Sequence, residues 1–209
     1  MAKKKKAVVA AAEAVQEVDA GAAEAVAPYR KALPVRALSW VSEVGDQPPL
    51  RALCGAMILA GLAGGGPRLA RAGGRALLAH SLATGAKNFV KHRVDRTRPR
   101  QVVESAGIAD HKMKPGRNEA KAETSFPSGH SAGAIAVARG FAREFPEYQA
   151  PALAAAGLVA LAQIPRCAHY PTDVGAGLAI GLAAEAATDA AWNAAASLVE
   201  ERLEDANSR

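Results

Sequence analysis

The chain has 209 residues, half of them apolar but only 4% aromatic, with a formal charge of +6. That length suits one domain with a real core, and the scarcity of aromatic and β-branched residues beside abundant Ala and Leu predicts an all-α protein. Its two cysteines, Cys54 and Cys167, lack metal-ligand spacing and exclude a disulfide framework.

Residues 1–46 read as a basic, amphipathic N-terminal arm. The opening MAKKKKAVVAAAEAVQEVDA has the basic and apolar regions of a signal peptide. Glu13, Glu17 and Asp19 interrupt the apolar stretch, so the segment is expected to stay in the mature chain. Lys3 to Lys6 suit a solvated end, or a tether to anionic lipid headgroups. Residues 7–33 carry a weakly amphipathic helical pattern, with breaks predicted at Gly21, Pro28 and Pro34.

Residues 47–200 read as a helical-bundle domain and 201–209 as a polar tail. Ala52 to Pro67 is uncharged and ends on the breaker Gly64-Gly65-Gly66-Pro67. A second apolar helix is predicted at 69–90, containing Arg71, Arg75 and Lys87. The stretch 91–124 is dense in Lys and Arg with little periodicity, which predicts a long loop of the kind that is usually functional. Apolar helical runs follow near 129–143, 150–164 and 174–199, making about five apolar helices in all. A membrane span needs about 20 apolar residues. The longest uncharged run, Tyr148 to Pro165, has 18. Hydropathy therefore suits an Ala-rich membrane bundle or a soluble helical domain alike.

Three blocks carry chemistry, each at the end of an apolar helix. The first is Lys91-His-Arg-Val-Asp-Arg-Thr-Arg98-Pro99. Read alone it is a solvated basic face. Read functionally, Lys91 gives a point charge and Arg98 a planar fork to one dianion, with Pro99 stiffening the backbone. The basic stretch lacks the interleaved aromatics of a nucleic-acid surface. The second block, Phe126-Pro127-Ser128-Gly129-His130-Ser131, has ordinary helix-start residues. A helix start is also an anion site, where Ser128 can donate, Gly129 lets an oxyanion approach and His130 is a candidate acid. The third, Arg166-Cys-Ala-His169-Tyr-Pro-Thr-Asp173, spaces His169 and Asp173 four apart. That spacing suits a helix cap, or a carboxylate that fixes the imidazole tautomer and frees the other nitrogen to attack.

Together the blocks resemble the signatures of the type 2 phosphatidic acid phosphatase superfamily. Lys, six residues, Arg-Pro is met by Lys91, Arg98 and Pro99, and Pro-Ser-Gly-His by residues 127–130. The family's Ser-Arg, five residues, His, three residues, Asp is met at His169 and Asp173. Its Ser-Arg pair, however, falls on Ala162-Gln163. The third phosphate-binding arginine of the family is thus Gln163 here, and Arg166, one turn on, is the substitute to test. The resemblance spans roughly residues 36–190 and implies a helical bundle with the site at one end. It implies a phosphohistidine mechanism without metal or other cofactor, in which His169 attacks, Asp173 orients it and His130 protonates the leaving group. Lys91, Arg98, Ser128, Gly129 and Arg166 would hold the phosphate.

The function expected from this is hydrolysis of a lipid phosphate, of phosphatidate or polyprenyl (di)phosphate type, by a multi-pass protein of a bacterial-type plasma membrane. A soluble or peripheral acid phosphatase is the alternative with the same chemistry. A non-catalytic phosphate-binding membrane protein is the alternative that the Gln163 departure motivates. Membrane members of the family usually have six spans, against five candidates here. The Lys/Arg-rich arm and loop, set against the acidic end Glu200–Asp205, would put the site on the cytoplasmic side.

Overall fold

The computed structural model describes residues 2–105, 110–117 and 120–207, and of residues 2–9, 11, 12 and 65 the backbone alone. Among these residues the chain forms eight α-helices and one two-stranded sheet, as the composition predicts. The helices are α1 Ala2–Val26, α2 Leu33–Ser42, α3 Gln47–Ala60, α4 Pro67–Lys91, α5 Pro99–Glu104, α6 Gly129–Glu144, α7 Gln149–Ala162 and α8 Pro171–Asn207. The strands β1 Val94–Asp95 and β2 Lys114–Pro115 pair antiparallel.

The core is α4, α6 and α8 packed on one another, with α3 against α4 and α7 against α6. Small residues make this close packing possible. Ala79, Ala83, Ala136 and Ala184 form one buried cluster, while Leu50, Cys54, Ala76 and Val137 form another. A Cβ on Gly177 of α8 would run into the Ser128 carbonyl, so glycine there lets α8 lie directly against the start of α6. The site end of the bundle is therefore set by backbone contact. At the opposite end charged groups knit the same helices: Arg75 bonds Glu144 at 2.9 Å and Asp189 at 2.6 Å, and Arg143 bonds Glu185 at 2.7 Å.

The apolar helices fall within a few residues of their predicted ends, and the glycine breaker closes α3 with Gly64 and Gly66 at φ +123° and +91°. Two expectations need correction. The stretch 91–124 is not loop throughout, because Pro99 starts a short helix at its first turn, where a missing N–H costs nothing. Gly21 does not break the first helix, which runs on to Val26 and buries Asp19 and Ala23. The headgroup tether expected of Lys3 to Lys6 concerns side chains outside the description.

Among the described residues one helix, α8, is long and apolar enough to cross a membrane. Of the other four apolar helices, α3 and α7 have 14 residues each, about 21 Å of helix against a hydrocarbon core of about 30 Å. Arg and Lys interrupt α4 and α6. The outer faces are nonetheless apolar, with Leu59, Leu62, Leu78, Leu82, Leu158, Leu161 and Leu198 exposed. Leu78, Leu82, Trp192 and Val199 line an open groove of about 710 Å³ between α4 and α8.

Candidate active site

The three blocks meet at one end of the bundle. Lys91 closes α4, Ser128 caps α6, and His169 lies two residues before α8 begins at Pro171. Each helix ends there for a local reason. The Ser128 side chain accepts from the Ser131 N–H at 3.4 Å and the Ser131 hydroxyl at 2.9 Å. Its capping role is thus real, and because it acts as acceptor in both bonds, its own proton is not spent on them. The Ser128 N–H donates to the Asp173 carbonyl at 2.9 Å, tying the second block to the third.

His169 is buried, with its two ring nitrogens facing opposite charges. Nε2 lies 3.5 Å from the Arg98 guanidinium, and Nδ1 lies 3.7 Å from Asp173 Oδ2. The second distance is longer than a hydrogen bond, so Nδ1 has a carboxylate within a small ring rotation of it. Burial, reinforced by the charges of Arg98 and Lys91, pushes the imidazole down to about 4 despite Asp173. That shift favours the neutral ring at ordinary pH, and in the tautomer with its proton on Nδ1, Nε2 presents a lone pair to the guanidinium.

Arg98 is positioned by carbonyls: Nε donates to Lys121 at 2.7 Å and a terminal nitrogen to Ala168 at 3.0 Å. Cys167, at φ +53°, turns the chain just before Ala168. Lys91 donates to the Thr124 carbonyl at 2.6 Å. Arg98, Arg100, Lys121 and Arg166 line one polar cavity of about 370 Å³ with Cys167 and Ala168. An anion entering it meets cations on several sides.

Asp173 is fully buried and saturated with donors. Oδ1 accepts from Arg96 at 2.7 Å, and Oδ2 from Ser125 Oγ at 2.5 Å and the Tyr170 N–H at 2.9 Å. Arg96 in turn donates to Asp19 Oδ2 at 2.8 Å and to Thr172 Oγ1 at 2.8 Å, and stacks 3.9 Å from the Tyr170 ring centroid. Asp19 also accepts from the Thr172 N–H at 3.1 Å and from its hydroxyl. The N-terminal helix is thus built into the support of the expected nucleophile. Sequence reading missed Arg96, Ser125 and Asp19. The Arg two residues before Arg98 was a visible signal, whereas nothing marked Asp19 among the carboxylates of the arm.

His130, on the first turn of α6, has a buried Nε2 without a hydrogen-bond partner among the described residues. It packs beside Gly45 in the turn after α2. Glu43, Asp46 and His130 each bring one ligand atom to within 4.8 Å of the others, the one such donor set among the described residues that suits a metal ion. The Glu43 carboxylate already pairs with Arg166, whose other terminal nitrogen donates to Ser42 Oγ at 2.8 Å. Arg166 therefore reaches the cavity wall with both ends of its fork engaged. Gln163 is also engaged, its side-chain N–H₂ donating to the Val159 carbonyl at 2.9 Å. Lys87, unremarked within its predicted helix, is buried with its ammonium beside Gly129.

Comparison with known proteins points to one family. The model of the PAP2 superfamily matches residues 72–194. A lipid A 1-phosphatase of Rhizobium etli is 36% identical over 94 residues, covering 45% of this chain and 39% of that protein. One of Rhizobium johnstonii is 46% identical over 57 residues, covering 27% and 23%. The match thus spans well under half the length of either relative. In fold, the chain is similar to a transmembrane PAP2 type phosphatidylglycerolphosphate phosphatase of Bacillus subtilis, with a TM-score of 0.57, 19% identity and 85% of each chain covered. It is also similar to LpxE of Aquifex aeolicus, with a TM-score of 0.56, 20% identity and coverage of 79% and 91%.

Proposed function

The chain belongs to the PAP2 superfamily, and on that premise we propose that it is a phosphoric ester hydrolase acting on a lipid phosphate through a phosphohistidine. The observation that carries this reading is the buried imidazole of His169, with Nε2 3.5 Å from Arg98 and Asp173 on its other side. A cation at that distance holds a phosphoryl oxygen while the nitrogen attacks phosphorus, which is positioning and charge stabilisation in one contact.

The steps follow from the residues in place. Nε2 of His169 forms a bond to phosphorus as the bond to the ester oxygen breaks in line with it. Asp173, ionised by its bonds to Arg96 and Ser125, accepts a hydrogen bond from the Nδ1–H, which stays on the ring, and stabilises the positive charge that develops there. Lys91, Arg98, the Ser128 hydroxyl and the Gly129 N–H hold the equatorial oxygens, with Arg166 at the cavity wall. His130 gives its proton to the departing alkoxide, then takes one from the water that cleaves the P–N bond, returning His169 and releasing phosphate. No metal enters these steps.

A lipid substrate fits the exposed leucines of the bundle and the apolar groove between α4 and α8. The lipid A 1-phosphatase relatives point to the same class. We place the protein in the membrane with α8 as a span, so that the acyl or prenyl tails lie along the helices and the headgroup enters the cationic cavity. The test is phosphate release by detergent-purified protein from a panel of phosphatidate, polyprenyl phosphate and diphosphate, and lipid A, beside His169→Ala. At least one lipid is hydrolysed, the variant is inactive, orthovanadate inhibits and a chelator does not. Loss of turnover in the chelator refutes the metal-free steps, and release from water-soluble esters alone refutes the lipid.

A further inference from the structure

Beside the proposed site lies a buried cation that neither the resemblance nor the mechanism above uses. Lys87 lies on α4 one turn before Lys91 and is only 6% exposed. Its Cδ and Nζ stand 3.2 and 3.5 Å from where a Cβ on Gly129 would be, so its ammonium rests against the first residue of α6. Among the described residues it makes no hydrogen bond and has no carboxylate within 4.0 Å. Asp46, at the cap of α3, lies beyond that reach and accepts from Gln47.

Burying an ammonium is unfavourable unless a partner compensates it. Here the neighbour makes matters worse, because the start of a 16-residue helix is itself a positive pole with unpaired N–H groups. Two positive features pressed together in a buried place are stabilised by an anion between them. The other residues that this position would call on are engaged. Gln163 is neutral and bonded to Val159, and the Arg166 fork is held by Glu43 and Ser42.

We propose that Lys87 is a phosphate-binding residue, which with the first N–H groups of α6 grips the substrate phosphoryl group from the side away from Arg98. It supplies the third cation of the site, the one expected at position 163 and absent there. The assignment rests on the phosphatase reading of the site that Lys91, Ser128 and His169 form. It gives a role to a lysine on a buried helix face whose other members are small residues and His80. A side chain at residue 129 would meet the Lys87 stem at 3.2 Å, so the two share one tight space at the start of α6.

The test is binding of inorganic phosphate to full-length, detergent-purified protein, by calorimetry and by the rise in unfolding temperature that phosphate produces. A charge-assisted hydrogen bond corresponds to roughly 10- to 100-fold in affinity. Lys87→Met is expected to weaken phosphate binding by that factor and to raise KM for the lipid phosphate. It also unfolds at a higher temperature than wild type without phosphate, because an unpaired buried charge has gone. Lys87→Gln must lose affinity in the same way, so that misfolding of one variant does not decide the matter. His169→Ala keeps phosphate affinity while losing turnover. Wild-type turnover beside unchanged phosphate affinity in both folded Lys87 variants overturns this assignment alone. A wild type that neither binds phosphate nor hydrolyses any lipid phosphate removes the phosphatase reading beneath it.

Discussion

Removing the Asp19 carboxylate, by Asp19→Ala, tests whether the N-terminal helix belongs to the catalytic apparatus. Asp19 and Arg96 are 1% and 0% exposed at the side chain and 2.8 Å apart. Breaking a buried pair by deleting one partner costs about 3–5 kcal/mol, whereas an exposed pair contributes about 0–1. The substitution also leaves the Thr172 N–H and hydroxyl without their acceptor. For a chain of this length each kcal/mol moves the unfolding midpoint by about 2–4 °C, so the drop should be on the order of 10 °C. Arg96 then relaxes away from Asp173, and kcat falls while phosphate affinity is kept, because no phosphate ligand has been touched. The assay is thermal unfolding in detergent, paired with steady-state kinetics on a short-chain lipid phosphate. A midpoint within about 2 °C of wild type, with unchanged kcat, refutes the reasoning and returns residues 1–46 to the status of a loose arm.

Two further outcomes follow from the same geometry. Ser125→Ala deletes the 2.5 Å bond to Asp173 Oδ2 and should cost about 1.5–3 kcal/mol, read as a lower unfolding midpoint and a reduced kcat. The His169 ring should titrate near 4 by NMR, well below its ordinary 6.5. Since the folded value is the lower one, the unfolded chain takes up the proton first on acidification. This contribution to stability is complete above about 6.5 and is lost as pH falls toward 4. A ring titrating at 6.5 in the folded protein would show that it is solvated.

The sequence made the bundle legible because its apolar runs are punctuated by strong breakers. Gly64 to Pro67 separates α3 from α4, and Phe145-Pro146 separates α6 from α7. The spacing of Lys91 to Arg98 and of His169 to Asp173 was equally readable, and the fold brings those blocks together. What stayed hidden was the support behind them. Asp19 meets Arg96 across 77 positions, and before folding it looks like any solvated carboxylate on an amphipathic helix. Lys87 sits in a run of alanines with Arg71 and Arg75, which turn to the other end of the bundle. Nothing local separates a lysine that faces a helix start from one that faces solvent. Arg166 was legible as a cation near His169 in sequence, but not the hold that Glu43 and Ser42 have on its fork, because those partners lie more than 120 positions away. The short helix after Arg98 was legible in principle, since Pro99 is a helix-start signal that was read as a stiffener.

The most direct measurement of the central claim is rapid quenching of the enzyme with a ³²P-labelled short-chain lipid phosphate, followed by mapping of protein-bound label. The account predicts a burst of acid-labile, base-stable label on His169 that approaches one per active site and is absent from His169→Ala. Label on any other residue, or turnover that persists in His169→Ala, would contradict it.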